Sequence, residues 1–390
     1  MQKKIRIVSV SIVLVILLIG IIVINNNSDN KYSFMQDGIR YALTLDGNKV
    51  TSFPSKGMYK VQVTCEGADG RWLYDDWKLA IENITGDISC DIDFSTINKT
   101  NLNDFIISLS GTTQGIGKVV NEKGYRYEGK NPNNYIWFNN EYWRIIGVFD
   151  SASHGVSGQN LVKIIRADVL DALAWDKSNT NDWTASSLKS LLNGAYYNAT
   201  DGTNSGYCYG YSTIATGNCD YTKKGIQSDF RGMIANVTWY LGGSSSRDTI
   251  AEVFYGYERG TTVYSGSPTS TTGYIGLMYP SDYGYSVLSN SCARTINLGS
   301  YSSATCAGQS WLYGKGYEWT LTPYSSGSNN VFNLYDNGIL GNRYANNGYG
   351  SRPVLYLNAS VYKIDGDGSL ENPYIVGFES CTHSGCGGIN

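Results

Sequence analysis

Eight cysteines fall along the chain as four close pairs: Cys65 with Cys90, Cys208 with Cys219, Cys292 with Cys306, and Cys381 with Cys386. No other feature constrains the fold as tightly. An even count in local pairs reads as disulfides made in an oxidising compartment, each closing a short loop. Spacing supports nearest-neighbour pairing, while eight cysteines admit many other connectivities. Each such bridge is worth roughly 3 kcal/mol in the chain-entropy account. The tail Cys381-Thr382-His383-Ser384-Gly385-Cys386 holds three residues of metal-ligand type. A small staple in a glycine-rich tail is the simpler reading, and neither a metal nor a cofactor is expected.

The N-terminus speaks to topology. Ile7 to Ile24 is an uncharged run, IVSVSIVLVILLIGIIVI, preceded by Lys3, Lys4 and Arg6. Its length is about the minimum for a helix that spans a bilayer. The basic tip orients such a helix with its N-terminus in the cytoplasm. A cleaved signal peptide would want small residues at the end of the run, and Ile22-Val23-Ile24-Asn25 offers none. The expectation is a single-pass signal anchor in the cell membrane, with residues 1–6 cytoplasmic, 7–24 in the bilayer and the bulk of the chain extracellular.

Composition removes other classes. The net charge is −3, and there is no basic stripe or aromatic-basic interleaving, so nucleic acid is not an expected partner. Histidine occurs only as His154 and His383, which argues against the common imidazole-dependent hydrolases and zinc enzymes.

Patterning divides the rest. Residues 25–35 form a polar linker. From 36 to 96 short alternating runs, such as Tyr59-Lys60-Val61-Gln62-Val63, are cut by turn signals at Asp46-Gly47-Asn48 and Gly67-Ala68-Asp69-Gly70. These predict a small antiparallel β-sandwich serving as a stalk. Residues 97–124 read as a linker with a short helix, 125–377 as one large head domain, and 378–390 as a cysteine-containing tail. Head-domain strands are predicted at 135–138, 142–149, 161–166, 274–278, 318–321, 353–357 and 374–376. Helices are predicted at 186–192 and at 228–241, where Phe230, Met233, Ile234, Val237 and Leu241 share helical spacing. The fold class implied is α+β.

One stretch poses a question of its own. In WFNNEYWRIIGVF, Trp137 to Phe149, aromatic and aliphatic residues surround Asn139-Asn140. That dipeptide is a turn signal, so the stretch reads as a hairpin. Trp143, Ile145, Gly147 and Phe149 share one face, and Tyr142, Arg144, Ile146 and Val148 the other. Both faces are largely apolar, which favours core over ligand platform.

Six motifs occur in order: EYWRIIGVF, NDWTASSLKSLLN, YIGLMYPSDYGY, YEWTLTP, YGSRPVLYLN and GDGSLENPY. Together they resemble a domain of unknown function that recurs in surface proteins of gut Firmicutes. That domain is similar to the C-type-lectin-like fold, in the branch that includes formylglycine-generating enzymes. The resemblance covers about residues 125–377. It implies a lectin-like α+β head with two helices, a small twisted sheet and long loops that carry function. It does not imply an enzyme, since no equivalent of the catalytic cysteine pair stands here. The Glu-Pro-Asn and Gln-Pro-Asp triplets of calcium-dependent lectins are also missing, and Asn131-Pro132-Asn133 reads as a turn.

Other chemistry is thin. The sequence has no G-x-S-x-G and no H-E-x-x-H. The stretch GTTQGIGKVV fails as a phosphate loop, with Thr112 in place of the first glycine and Val119 in place of Ser/Thr. Asp282, Glu318 and Glu258 are carboxylates that glycoside hydrolysis could use if the fold paired them. Asp365-Gly366-Asp367-Gly368 has two acids at calcium-like spacing without the remaining ligands.

The stretch YDNGILGNRYANNGYGSR, Tyr335 to Arg352, is dense in Tyr, Asn and Gly, the mix that antibody paratopes use. Candidate ligand-binding residues are Tyr335, Asn337, Asn342, Arg343, Tyr344, Asn346, Asn347 and Tyr349. Arg352, at the mouth of a core strand, is expected to pair with Asp282 and to play a structural part. The function implied is an anchored extracellular binding protein, an adhesin or receptor for a glycan or a protein. The alternatives are an extracellular enzyme acting on glycans or sulfated substrates, or a structural surface subunit.

Overall fold

The computed structural model describes residues 34–55, 59–73, 77–96 and 100–378. The apolar run at 7–24 and the pair Cys381 and Cys386 lie outside the described residues. Among the described residues no helix is long and apolar enough to cross a membrane. The expected single-pass anchor, and the membrane localisation and topology built on it, are therefore not supported by the described residues. That expectation rests on the length and hydropathy of the run, its basic flank and the lack of a cleavage signal.

Strands dominate. The described residues form 26 strands and six α-helices, of which the longest, Ala251–Glu258, has eight residues. The expected α+β class is corrected accordingly. One predicted helix is present: Ser187–Leu191, with the Ser186 hydroxyl accepting from the Lys189 amide as its cap. The other is not. A helix runs only from Ser228 to Arg231, and Val237–Tyr240 is a strand paired with Ser270–Gly273. Val237 and Trp239 point inward and their neighbours do not, a period of two. The β-branched and aromatic run Val-Thr-Trp-Tyr overrides the helical spacing.

The chain divides into two compact units between Asn98 and Lys99. The first holds a five-stranded sheet and the separate hairpin Asp69–Leu73 with Lys78–Glu82. Trp72 of the hairpin meets Phe94 of the sheet edge-on at 5.1 Å. The sheet is not purely antiparallel, because Ile39–Leu45 runs parallel to Ser89–Thr96. Cys65 and Cys90 face each other across the strands Tyr59–Glu66 and Ser89–Thr96 and are disulfide-bonded.

The second unit begins with the segment read as a linker. Helix Leu102–Ser108 buries Leu102 and Ile106 in the main core. Strands Ile116–Asn121 and Tyr125–Asn131 form a hairpin. A ten-stranded sheet is the centre of this unit. Along it lie, in order, Ile275–Gly276, Val354–Leu357, Leu161–Arg166, Glu141–Phe149, Tyr135–Phe138 and Tyr374–Phe378. A second, five-stranded sheet runs Asp171–Ala174, Gly348–Ser351, Glu318–Pro323, Asn330–Leu334, Leu340–Tyr344. Trp143, Trp175, Trp183, Trp239 and Trp319 are fully buried in the core. Disulfides Cys208–Cys219 and Cys292–Cys306 close local loops at Cα separations of 6.0 and 5.2 Å.

The Trp137–Phe149 stretch is a hairpin. Asn139 and Asn140 both take positive φ, 56° and 59°, the backbone of a type I′ turn. The turn sets Phe138 opposite Glu141 and Tyr135 opposite Arg144.

Candidate functional site

Asp282 and Glu318 each anchor a separate group of buried charges. Asp282 opens the short helix Pro280–Gly284 and accepts from the Tyr279 amide at 2.9 Å. It also takes the Arg126 guanidinium at 3.1 Å and the Lys163 ammonium at 2.5 Å. Burial pushes Asp282 up, but Lys163 and Arg126 outweigh it and hold the carboxyl below its ordinary range. Arg352 lies elsewhere. Its Nε donates to Glu318 Oε1 at 2.6 Å and its Nη2 to the Leu312 carbonyl at 2.7 Å.

The expected Arg352–Asp282 pair is therefore corrected. Strand Leu161–Arg166 carries Lys163 and pairs with Val354–Leu357, which also pairs with Ile275–Gly276, so Lys163 comes to Asp282. Arg352 follows the strand Gly348–Ser351, whose partner is the strand that begins at Glu318.

Glu258 approaches the Asp282 helix, accepting from the Ser281 amide at 2.9 Å and hydroxyl at 2.5 Å. Burial raises Glu258 to about 7 against the pull of Arg259. Glu258, Asp282 and Glu318 are 0, 2 and 2% exposed, so none is placed to meet a substrate at the surface. Asp367 is taken up in a local turn, accepting from the Ser369 amide at 2.9 Å.

Half of the Tyr335–Arg352 stretch is sheet, in two strands. Leu340–Tyr344 pairs with Asn330–Leu334, and Gly348–Ser351 with Asp171–Ala174. The structure brings three of the eight candidates together. Arg343 lies over the Tyr335 ring at 4.5 Å. Tyr335 is 5.4 Å from Tyr317, which stacks on Tyr349 at 5.0 Å. Tyr349 in turn packs on the buried Trp319 at 4.9 Å. The cluster is half-buried at the surface. Gly341 makes room for it, since a Cβ there would sit 2.2 Å from the Tyr335 ring.

The other candidates do structural or peripheral work. Asn337 turns the chain, its Oδ1 accepting from the Ile339 amide at 3.1 Å. Asn342 accepts from the Asn330 amide group at 2.9 Å, and Asn347 donates to the Tyr349 hydroxyl at 3.3 Å. The backbone of Asn346 meets Asn179 Oδ1 and the Ser212 amide. Tyr344 is exposed beside the cluster's strand. Tyr317 was not singled out in the sequence. It joins the cluster through the sheet pairing of its neighbour Glu318 with Gly350, which no local pattern announces.

A cleft of about 290 Å³ opens elsewhere on this unit. Tyr135, Tyr142, Trp311 and Tyr313 wall it, Arg144 and Arg352 line it, and Asp168 and Leu370 stand exposed at its rim. The strand alternation builds it: Trp143 and Ile145 go to the core, and Tyr142 and Arg144 go to the other face. The hairpin that reads as core thus presents one aromatic edge outward, with Tyr142 38% exposed. Trp311 is fixed by its indole N–H, which donates to the Tyr127 carbonyl at 2.7 Å. A smaller cleft of about 230 Å³ has its charges matched. There Arg294 meets Glu122 and Glu128, and Lys123 meets Glu252.

No protein-family model, no curated protein and no solved structure matches this chain.

Proposed function

We propose that the chain is a binding protein for a glycan or protein ligand, with the Tyr317–Tyr335–Arg343–Tyr349 cluster as its recognition face. The observation that carries this reading is the convergence of three tyrosines and an arginine from segments in or beside the strands of one sheet. Tyrosine supplies large amphipathic contact area at low entropic cost, and arginine is a frequent hot-spot residue at interfaces. The ordered motifs that resemble the lectin-like surface domain favour the same reading. The enzymatic alternative has less support, because Glu258, Asp282 and Glu318 are buried.

The test is a glycan array and a protein-binding screen with the full chain, repeated with Tyr317→Ala and Arg343→Ala. The reading predicts that a ligand found with the wild type loses about tenfold or more in affinity in both variants. A ligand that binds both variants as it binds the wild type would remove this face from consideration.

A further inference from the structure

We propose that the cleft walled by Tyr135, Tyr142 and Trp311 receives an anionic group, a carboxylate or sulfate carried on a sugar ring, with Arg144 as its receptor. This site shares no residue with the tyrosine cluster and stands or falls independently of it.

Arg144 is the anomaly that leads here. It is 8% exposed and forms no ion pair with any carboxylate among the described residues. Its Nε donates to Asn134 Oδ1 at 2.8 Å. Its Nη2 donates to the Pro132 carbonyl at 3.2 Å and to Asn131 Oδ1 at 3.4 Å. Nη1 is left without a hydrogen bond among the described residues. A buried guanidinium ordinarily has a charged partner, because desolvating an unmatched cation is costly. Burial, with Arg352 as a nearby like charge, pulls Arg144 down to about 10.

The surroundings decide what can approach. Tyr135 lies 4.2 Å and Trp311 4.7 Å from the guanidinium carbon. Rings over the guanidinium restrict approach to its edge, and the edge is what carboxylates and sulfates grip. Arg352 lines the same cleft and is 5% exposed. Glu318 takes its Nε and Leu312 its Nη2, and Nη1 has no hydrogen bond among the described residues. Glu318 thus matches Arg352, and the positive charge of Arg144 is left without a carboxylate among the described residues. Asp168 is the acid at the rim. It is exposed, so water screens it, and it weighs against densely charged ligands more than against a single anion.

Size and surface select a sugar over an extended chain. A volume near 290 Å³ is at the small end of ligand sites and suits one ring. Tyr and Trp offer flat amphipathic faces against which a sugar's apolar face can pack.

The experiment is calorimetric titration of the full chain with glucuronate, glucose 6-sulfate, glucose and N-acetyltyrosine. At least one of the two acidic sugars should bind about tenfold or more tightly than glucose, the scale of a charge-assisted contact. Arg144→Gln should erase that preference, and Arg343→Gln should leave it intact. Tyr142→Ala, at an exposed position, keeps the arginine and should weaken the acidic sugar about fivefold, which keeps the test open if Arg144→Gln does not fold. Equal binding of glucose and both acids, or no binding of either acid, overturns the proposal. So does binding of N-acetyltyrosine without the acidic sugars, which would make this a peptide-carboxylate site. Undiminished acidic-sugar binding by Tyr142→Ala overturns it as well.

Discussion

The Nε of Arg352 lies 2.6 Å from Oε1 of Glu318, and both side chains are almost wholly buried. The pair ties the strand Glu318–Pro323 to the turn that leads from Gly348–Ser351 into Val354–Leu357. Arg352→Ala leaves the Glu318 carboxylate buried without its cation and should cost about 3 kcal/mol. Urea denaturation of the full chain checks this. Arg343→Ala, which removes a surface contact, should leave the midpoint unchanged within error while altering ligand binding.

Asp282 holds two cations where Glu318 holds one. Asp282→Asn would leave both Lys163 and Arg126 without their acid. Its loss of stability should therefore exceed that of Arg352→Ala, by about 1 kcal/mol or more. Comparing the two denaturation midpoints at equal denaturant slope decides the matter, and an Asp282→Asn protein as stable as Arg352→Ala contradicts the network described here.

Stability should fall as pH rises from 6.5 to 7.5. Burial raises Glu258 to about 7, against Arg259, and Glu128 to about 8, against Arg294. An unfolded chain has already released both protons above its ordinary value of 4.5, whereas the folded chain still holds them. The folded state thus binds more protons across this window, and raising the pH works against it. The window starts at 6.5 because burial lowers His154, which acts in the opposite sense below its ordinary value of 6.5, and it ends at 7.5 because burial lowers Lys163 to about 8, which opposes the trend from there upward. The melting temperature should drop by a few degrees, about 1 kcal/mol per group per pH unit at most. Glu258→Gln should flatten part of the slope, and a melting temperature that rises over this range would refute the assignment.

Non-reducing peptide mapping should recover Cys65–Cys90, Cys208–Cys219 and Cys292–Cys306. Replacing Cys65 and Cys90 together by serine should cost the first unit about 3 kcal/mol. Differential scanning calorimetry should show only that unit's transition moving.

Gly341→Ala offers a sharper probe of the tyrosine cluster than removal of any ring. A methyl group at this position collides with Tyr335, so the ring must leave Arg343. Ligand affinity should fall about tenfold with every tyrosine still present. Unaltered affinity would mean that Tyr335 is not part of the face.

What was legible in the sequence was local. The hairpin at Asn139-Asn140 could be read because its turn dipeptide and flanking strands are contiguous, and the helix at 186–192 because its signals lie within a few residues. The stretch 228–241 was misread because five apolar residues fit a helical period equally well until the pairing of Val237–Tyr240 with Ser270–Gly273 is known. The same limit hid the two sites. Tyr317 joins Tyr335 and Tyr349 through sheet pairing, and Arg144 acquires its meaning from Trp311, far along the chain. Its strand was read as buried on both faces, and nothing in the hairpin itself shows that one edge opens on a cleft.

The placement of the tyrosine cluster on paired strands bears on how such a face can evolve. In Leu340–Tyr344 the register with Asn330–Leu334 fixes which residues point outward. A single inserted residue would turn every later side chain of the strand to the opposite side, carrying Arg343 inward and its neighbours out. A face of this kind tolerates exchange of one outward residue for another and resists changes in length. Diversification by insertion, the route open to a hypervariable loop, is closed to it.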